Sequence, residues 1–154
     1  LEFRRVLFRS MLVEAAQPAI RALLRGGHRA EQQALACFIE EGHYARHLAA
    51  MRRLYRKRQA QLQEALEQEL TVPHQLMAGE GGLHMTVVIE GIDDVELVRQ
   101  ARLHQMAPSA LSTFYLDRQK AKSGLVLGYG NTSASQFTTA VRTLQRLIAP
   151  LRRE

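Results

Sequence analysis

The sequence predicts an α/β protein that is helical in its first half and mixed in its second. Apolar residues recur at threes and fours from Tyr44 to Leu70, the mark of an amphipathic helix. A β-branched run, Thr86-Val87-Val88-Ile89, follows Pro73, and from that proline onward the patterns alternate as strand, strand, helix, strand, strand, helix. Such an order suits helices laid over one face of a small sheet. A chain of 154 residues can bury a real core as one domain or as two small lobes.

The elements follow in order. Residues 1–10, LEFRRVLFRS, mix apolar and basic residues without the apolar stretch and cleavage site of a secretory signal. They are read as a non-native leader before a truncated frame, because the chain starts at Leu1 and helical spacing starts at Met11. Met11 to Leu24 has helical periodicity ended by Gly26-Gly27, with Pro18 predicting a kink or break near Gln17. A second helix covers Glu31 to Glu41, where Gly42 marks a stop. The long helix follows from Tyr44 to about Leu70, basic in its first half (Arg46, Arg52, Arg53, Arg56, Lys57, Arg58) and acidic in its second (Glu64, Glu67, Glu69). Gln75 to Ala78 and Leu83 to Glu90 form a hairpin around a Gly79 to Gly82 turn. Asp93 or Asp94 caps a helix over Val95 to His104. Met106 to Ser112 and Leu125 to Tyr129 supply two more strands, and Asn131, Thr132 or Ser133 caps a last helix carrying Phe137, Val141, Leu144 and Ile148.

The formal charge of +6 falls to about +4 once Arg4, Arg5, Arg9 and Glu2 are set aside with the leader, a modest excess that identifies no partner. No apolar run approaches the roughly 20 residues that span a bilayer, so no membrane is expected as a partner. Cys37 cannot form an internal disulfide; its neighbours Ala34, Leu35, Phe38 and Ile39 suit a buried thiol in a reducing, cytoplasmic setting.

Several constellations suggest chemistry and are weighed against plainer uses. The arginines of the long helix could follow phosphates, but no aromatic interleaving or helix-turn-helix pattern accompanies them, and a solvated or interface face accounts for them better. His43 and His47 have the spacing of a two-histidine metal site, yet Arg46 lies between them and no glutamate does; no metal is expected. Gly79, Gly81 and Gly82 lead into a strand rather than a helix, so a hairpin turn outweighs a phosphate loop. Gly128, Gly130 and Asn131 do precede a helix, where glycines allow close backbone approach. The residues alone therefore describe a soluble α/β domain without a complete catalytic site.

Residues 33–55, QALACFIEEGHYARHLAAMRRLY, resemble the MocR-type transcriptional regulators of the GntR superfamily, whose pattern is a QxALAxFI run followed by EGHxxRHxRRMRxxY. The resemblance continues through GLH at Gly82 to His84, Pro108 to Tyr115, and GLVLGYGN at Gly124 to Asn131, and covers residues 11–150. It implies the C-terminal part of the type I fold of pyridoxal-phosphate-dependent aminotransferases: the end of the large cofactor domain in residues 11–42, an interdomain helix in 43–72 and a small α/β domain in 73–150. It also implies a homodimer that binds pyridoxal 5'-phosphate, and DNA through an N-terminal winged helix. The Schiff-base lysine, the aspartate for the pyridinium nitrogen and the winged helix would lie upstream, since Lys57, Lys120 and Lys122 lack the context of a cofactor lysine. No catalytic residue is expected here; the ligand-pocket candidates are Gly82, His84 and Val126, and the interface candidates are Arg46 and Arg53. Aminotransferases of this fold usually carry an arginine for the substrate carboxylate at the position of Val126, a role that valine cannot fill. The expected function is therefore that of a cofactor-sensing regulator fragment, inactive alone, with the tail of an amino-acid aminotransferase as the alternative.

Overall fold

The computed structural model describes residues 10–24, 28–78 and 82–152. The chain divides into two compact units, Leu1–Ala49 and Ala50–Glu154. The first contains α1 (Ser10–Leu24), α2 (Arg29–Glu40) and the start of α3 (His43–Glu69). Helix α1 runs through Pro18 without interruption, in place of the break that proline predicts near Gln17; Gly26 and Gly27 lie outside the described residues. Helix α2 ends as its sequence requires. Gly42 adopts φ +76°, a conformation that costs glycine little, and the amides of Glu41 and Gly42 donate to the carbonyls of Cys37 and Ile39. No residue of α2 is buried, although Leu35, Phe38 and Ile39 lie on it with 54%, 41% and 51% of their surface exposed. Cys37 is half-buried rather than enclosed, with the Gln33 amide 3.7 Å from its sulfur.

The second unit is built on β1 (Gln75–Ala78), β2 (His84–Val88), β3 (Ser109–Ala110) and β4 (Gly124–Gly128), with α4 (Asp94–Leu103) and α5 (Phe137–Ile148). The strands form one antiparallel sheet in the order β1-β2-β4-β3. The expected antiparallel pairing of β1 with β2 is present, with Gln75 opposite Val88 and Ala78 opposite Met85, while Gly79 to Gly81 of the expected turn lie outside the described residues. Strand alternation decides which side chains enter the core. Met85, Val87, Leu125 and Leu127 point to one face and meet Leu62 and Leu66 of α3, Leu97 and Ala101 of α4, and Val141, Leu144 and Ile148 of α5. The stripe read from the long helix is thus buried where it meets the sheet, at Leu62, Leu66 and Leu70. Glu69 accepts both bonds of the Arg142 guanidinium at 2.8 Å, and the Thr71 amide donates to Gln145 at 2.9 Å, tying the end of α3 to α5. No described helix is long and apolar enough to cross a membrane.

Two expected elements differ. The strand over Met106 to Ser112 shortens to Ser109–Ala110 and passes into a 3-10 turn at Leu111–Phe114. The cause is Asp94, 3% exposed, whose carboxylate accepts the Ser112 amide at 2.8 Å, the Ser112 hydroxyl at 2.7 Å and the Gly124 amide at 3.1 Å. Those bonds draw the chain out of the ladder. Of the two candidate caps, Asp93 does the capping, accepting the Glu96 amide at 2.9 Å, which leaves Asp94 for the tertiary contact. The last helix has no side-chain cap from Asn131, Thr132 or Ser133; a 3-10 turn at Ala134–Gln136 leads into it, and the Ser133 hydroxyl bonds that of Ser135 instead. Gly124 has φ +153°, and a Cβ there would sit 2.1 Å from the Val87 carbonyl oxygen, so only glycine fits.

Asp94→Ala should cost about 3 kcal/mol, because two backbone amides and a hydroxyl lose a charged acceptor in a buried place, whereas Asp93→Ala should cost about 1 kcal/mol as an ordinary N-cap. Urea unfolding of both variants measures the difference; equal losses would contradict it. Acid provides a second check. Bonds from Arg99 and then Gln100 hold Glu96 at about 2 instead of its ordinary 4.5, and Glu69 is lowered by Arg142. A carboxylate with a lowered folded value stabilises above its unfolded value and loses that contribution as pH falls through the folded one. Glu96→Gln should therefore flatten the acid limb between pH 4.5 and about 2, followed as melting temperature against pH.

Candidate functional site

Where β4 ends, Gly128-Tyr129-Gly130 crosses the start of β2. Tyr129 is 1% exposed; its amide donates to the Leu83 carbonyl at 3.0 Å and its hydroxyl to the Gly82 carbonyl at 2.8 Å. Burial pushes its phenol up, which keeps it a neutral donor. At the flanking glycines a Cβ would stand in ordinary van der Waals contact with its neighbours, 3.6 Å from the His84 ring at Gly128 and 3.4 Å from Leu83 at Gly130. Arg58 of α3 donates to the Gly130 carbonyl and lies 6.0 Å from the Tyr55 ring centre. One helix side chain and one buried tyrosine therefore hold the loop after β4 and the entry to β2 together.

Beside this junction is an open groove of about 830 Å³, within the size range of small-molecule sites. His84, Leu127 and Gly128 form its sheet end. Met106 and Pro108 line one side, Phe137, Val141 and Leu144 of α5 give it an apolar floor, and Asn131, Thr132, Ser135 and Gln136 line its rim. His84 and His104 are its imidazoles, and no lysine, arginine, aspartate or glutamate is among its described lining residues. Such walls suit a ligand that offers apolar surface and neutral hydrogen-bonding groups.

Of the residues singled out in the sequence, His84 lines the groove. Gly82, with φ +95°, does not; it supplies the carbonyl that receives Tyr129. Val126 is also outside it, half-buried on the sheet face away from the core in a row of cross-strand partners, Met77, Thr86, Val126 and Ser109. Arg46 is exposed and donates to His43 at 2.8 Å. Arg53 is exposed, with no hydrogen bond or ion pair to a described residue. His43 stacks on Phe38 with ring centres 5.6 Å apart. The groove holds Gly128, Gly130 and Asn131, the helix-preceding set noted in the sequence. Sequence reasoning missed Arg58 and Tyr129. The usable signal for Arg58 was helical phase, since it stands four residues before the core residue Leu62; Tyr129 carried none beyond its place at a strand end.

The groove's side chains do not fit pyridoxal phosphate. Lys57, Lys120 and Lys122 are exposed and line no part of it, and no guanidinium is among its described lining residues to receive a phosphate.

No protein-family model matches the chain. By sequence it is similar to two regulators of Bacillus subtilis strain 168: the uncharacterized HTH-type transcriptional regulator YhdI, 29% identical over 91% of this chain, and the uncharacterized HTH-type transcriptional regulator YdeL, 25% identical over 94%. It spans 30% and 35% of their lengths. By structure it is similar to the multiple substrate aminotransferase of Thermococcus profundus, with a TM-score of 0.65, 23% identity, and coverage of 74% of this chain and 28% of that one. It is also similar to LysN, the alpha-aminoadipate aminotransferase of Thermus thermophilus, solved with N-(5'-phosphopyridoxyl)-L-leucine, at a TM-score of 0.63 and 22% identity over 73% of this chain and 29% of that one. These structural likenesses are likenesses of fold. The resemblance to MocR-type regulators is borne out on both sides, by regulators in sequence and by aminotransferases in fold.

Tyr129→Phe should keep the fold and cost about 1 kcal/mol, the net worth of one hydrogen bond whose acceptor can turn to water. Urea unfolding measures it; an unchanged midpoint would show that the bond to Gly82 contributes nothing.

Proposed function

We propose that the chain is the C-terminal part of a transcriptional regulator whose effector domain has the aminotransferase fold. Within it, residues 11–42 are the end of a large cofactor domain, 43–72 the interdomain helix and 73–150 the small domain. The observation that carries this reading is the pairing of regulator relatives along 91% of the chain with an aminotransferase fold over 74% of it. The longer protein acts in the cytoplasm, binds DNA through an N-terminal winged helix, pairs with a second copy and holds pyridoxal 5'-phosphate. The lysine and the phosphate-binding groups come from outside this segment, which is inactive alone.

The chemistry at Val126 supports sensing rather than amino-group transfer. Its cross-strand neighbours Thr86 and Ser109 are neutral, and the Arg58 guanidinium is committed to the Gly130 carbonyl. Among the described cross-strand neighbours of Val126, a substrate α-carboxylate would find no planar cation. A regulator that responds to the cofactor itself has no use for one.

Adding pyridoxal phosphate to the intact regulator and to the present chain separates these parts. The intact protein should acquire the visible absorption of the bound cofactor and retain it through gel filtration, and the chain alone should retain none. Subsequent addition of α-amino acids should give no turnover to oxo acids. Efficient turnover would support the aminotransferase alternative, and retention of cofactor by the chain alone would overturn the assignment of its binding groups elsewhere.

A further inference from the structure

The order of charges along α3 serves neither the groove nor the core. Arg53, Arg56, Ala60, Glu64 and Glu67 are all exposed. Their spacing of three, four, four and three residues places them within an arc of about 80° on a helix of 3.6 residues per turn, on the side opposite Leu62, Ala65 and Leu66, which enter the core. About Ala60 the stripe is symmetric in position and opposite in sign. Arg56 and Glu64 stand four residues to either side of it, and Arg53 and Glu67 stand seven.

None of these four charges forms an ion pair with a described residue. Their bonds are local and neutral: Arg56 donates to the Arg52 carbonyl at 3.2 Å, Gln63 donates to Glu67 at 2.8 Å and Gln68 to Glu64 at 3.2 Å. The two glutamine bonds hold each carboxylate in place while leaving it room for further donors.

We propose that this stripe receives the same stripe of a second copy, the two helices running antiparallel and crossing at Ala60. A two-fold contact is self-complementary, so Ala60 meets its own equivalent on the axis and each residue off the axis meets a different residue of the other copy. Arg53 then faces Glu67, and Arg56 faces Glu64, twice each across the axis. A parallel arrangement would set arginine against arginine, so the charge order selects the antiparallel one. Alanine at the crossing lets the helix axes approach to the short end of the usual 8–10 Å. Exposed ion pairs add little affinity singly, so the contact is weak, salt-sensitive and strict about orientation. It stands independently of the regulator assignment.

Sedimentation velocity of this chain tests the contact through two charge-reversed variants, R53E/R56E and E64R/E67R, with circular dichroism to confirm that each keeps its helices and melting temperature. The wild type should self-associate at low ionic strength and less so as salt is added. Each variant, with a stripe of one sign, should associate with itself at least about tenfold more weakly, and an equimolar mixture of the two should associate at least as well as the wild type. A wild type that stays monomeric at low ionic strength would overturn the proposal, as would variants that associate unchanged or a mixture that fails to recover. A monomeric wild type that binds duplex DNA, with binding lost in R53E/R56E, would assign the basic half to nucleic acid instead.

Discussion

The second unit depends on one buried carboxylate. Asp94 gathers the first turn of α4, the 3-10 turn after β3 and the first residue of β4 onto two oxygens. A charged group this deep is tolerable because it is fully occupied and lies at a helix N-terminus, where the backbone dipole favours a negative charge. Its bond to the Gly124 amide places the strand that occupies the middle of the sheet beside β2. Gly124 in turn lies so close to the Val87 carbonyl that no side chain could be accommodated. Carboxylate and glycine together define the register on which His84, Val126 and Gly128 stand.

That register divides the lobe into surfaces with different uses. Residues facing inward make the core with α3, α4 and α5. Val126 faces the other way, and the loop after Gly128 turns across the sheet end to shape the groove. The long helix contributes to all of this through different sides: Leu62 and Leu66 to the core, Arg58 to the Gly130 carbonyl, and the charged stripe to the exterior. A helix of 27 residues is long enough to carry these roles without conflict, because each is set by helical phase.

What could be read in the sequence was what periodicity encodes. The long helix, the β1–β2 hairpin and both helices of the second unit lie close to their expected bounds, since each has a regular apolar pattern that packing then uses. Pro18 and the cap of the last helix misled locally, and the other errors occurred where a side chain acts at a distance. Asp93 and Asp94 are indistinguishable as caps from local sequence, and only the fold shows that one caps its own helix while the other shortens β3. Arg58 looked like its solvated neighbours because charge composition carries no phase. The groove was legible only in part: the glycines flanking Tyr129 and His84 were visible, but the Pro108 side and the α5 floor come from segments that only the tertiary structure brings together.

The antiparallel pairing of β2 with both β1 and β4 also has a kinetic meaning. The hairpin joins residues near one another in the chain, whereas Val88 and Gly124 are brought together across an intervening helix and turn, and long closures are paid for in chain entropy before any contact rewards them. The hairpin and α4 can form early from local interactions. Seating of β4 beside β2 carries that longer closure. The carboxylate that fixes the finished register therefore joins segments 18 and 30 residues further along the chain, so the lobe's most buried polar contact is also one of its non-local ones.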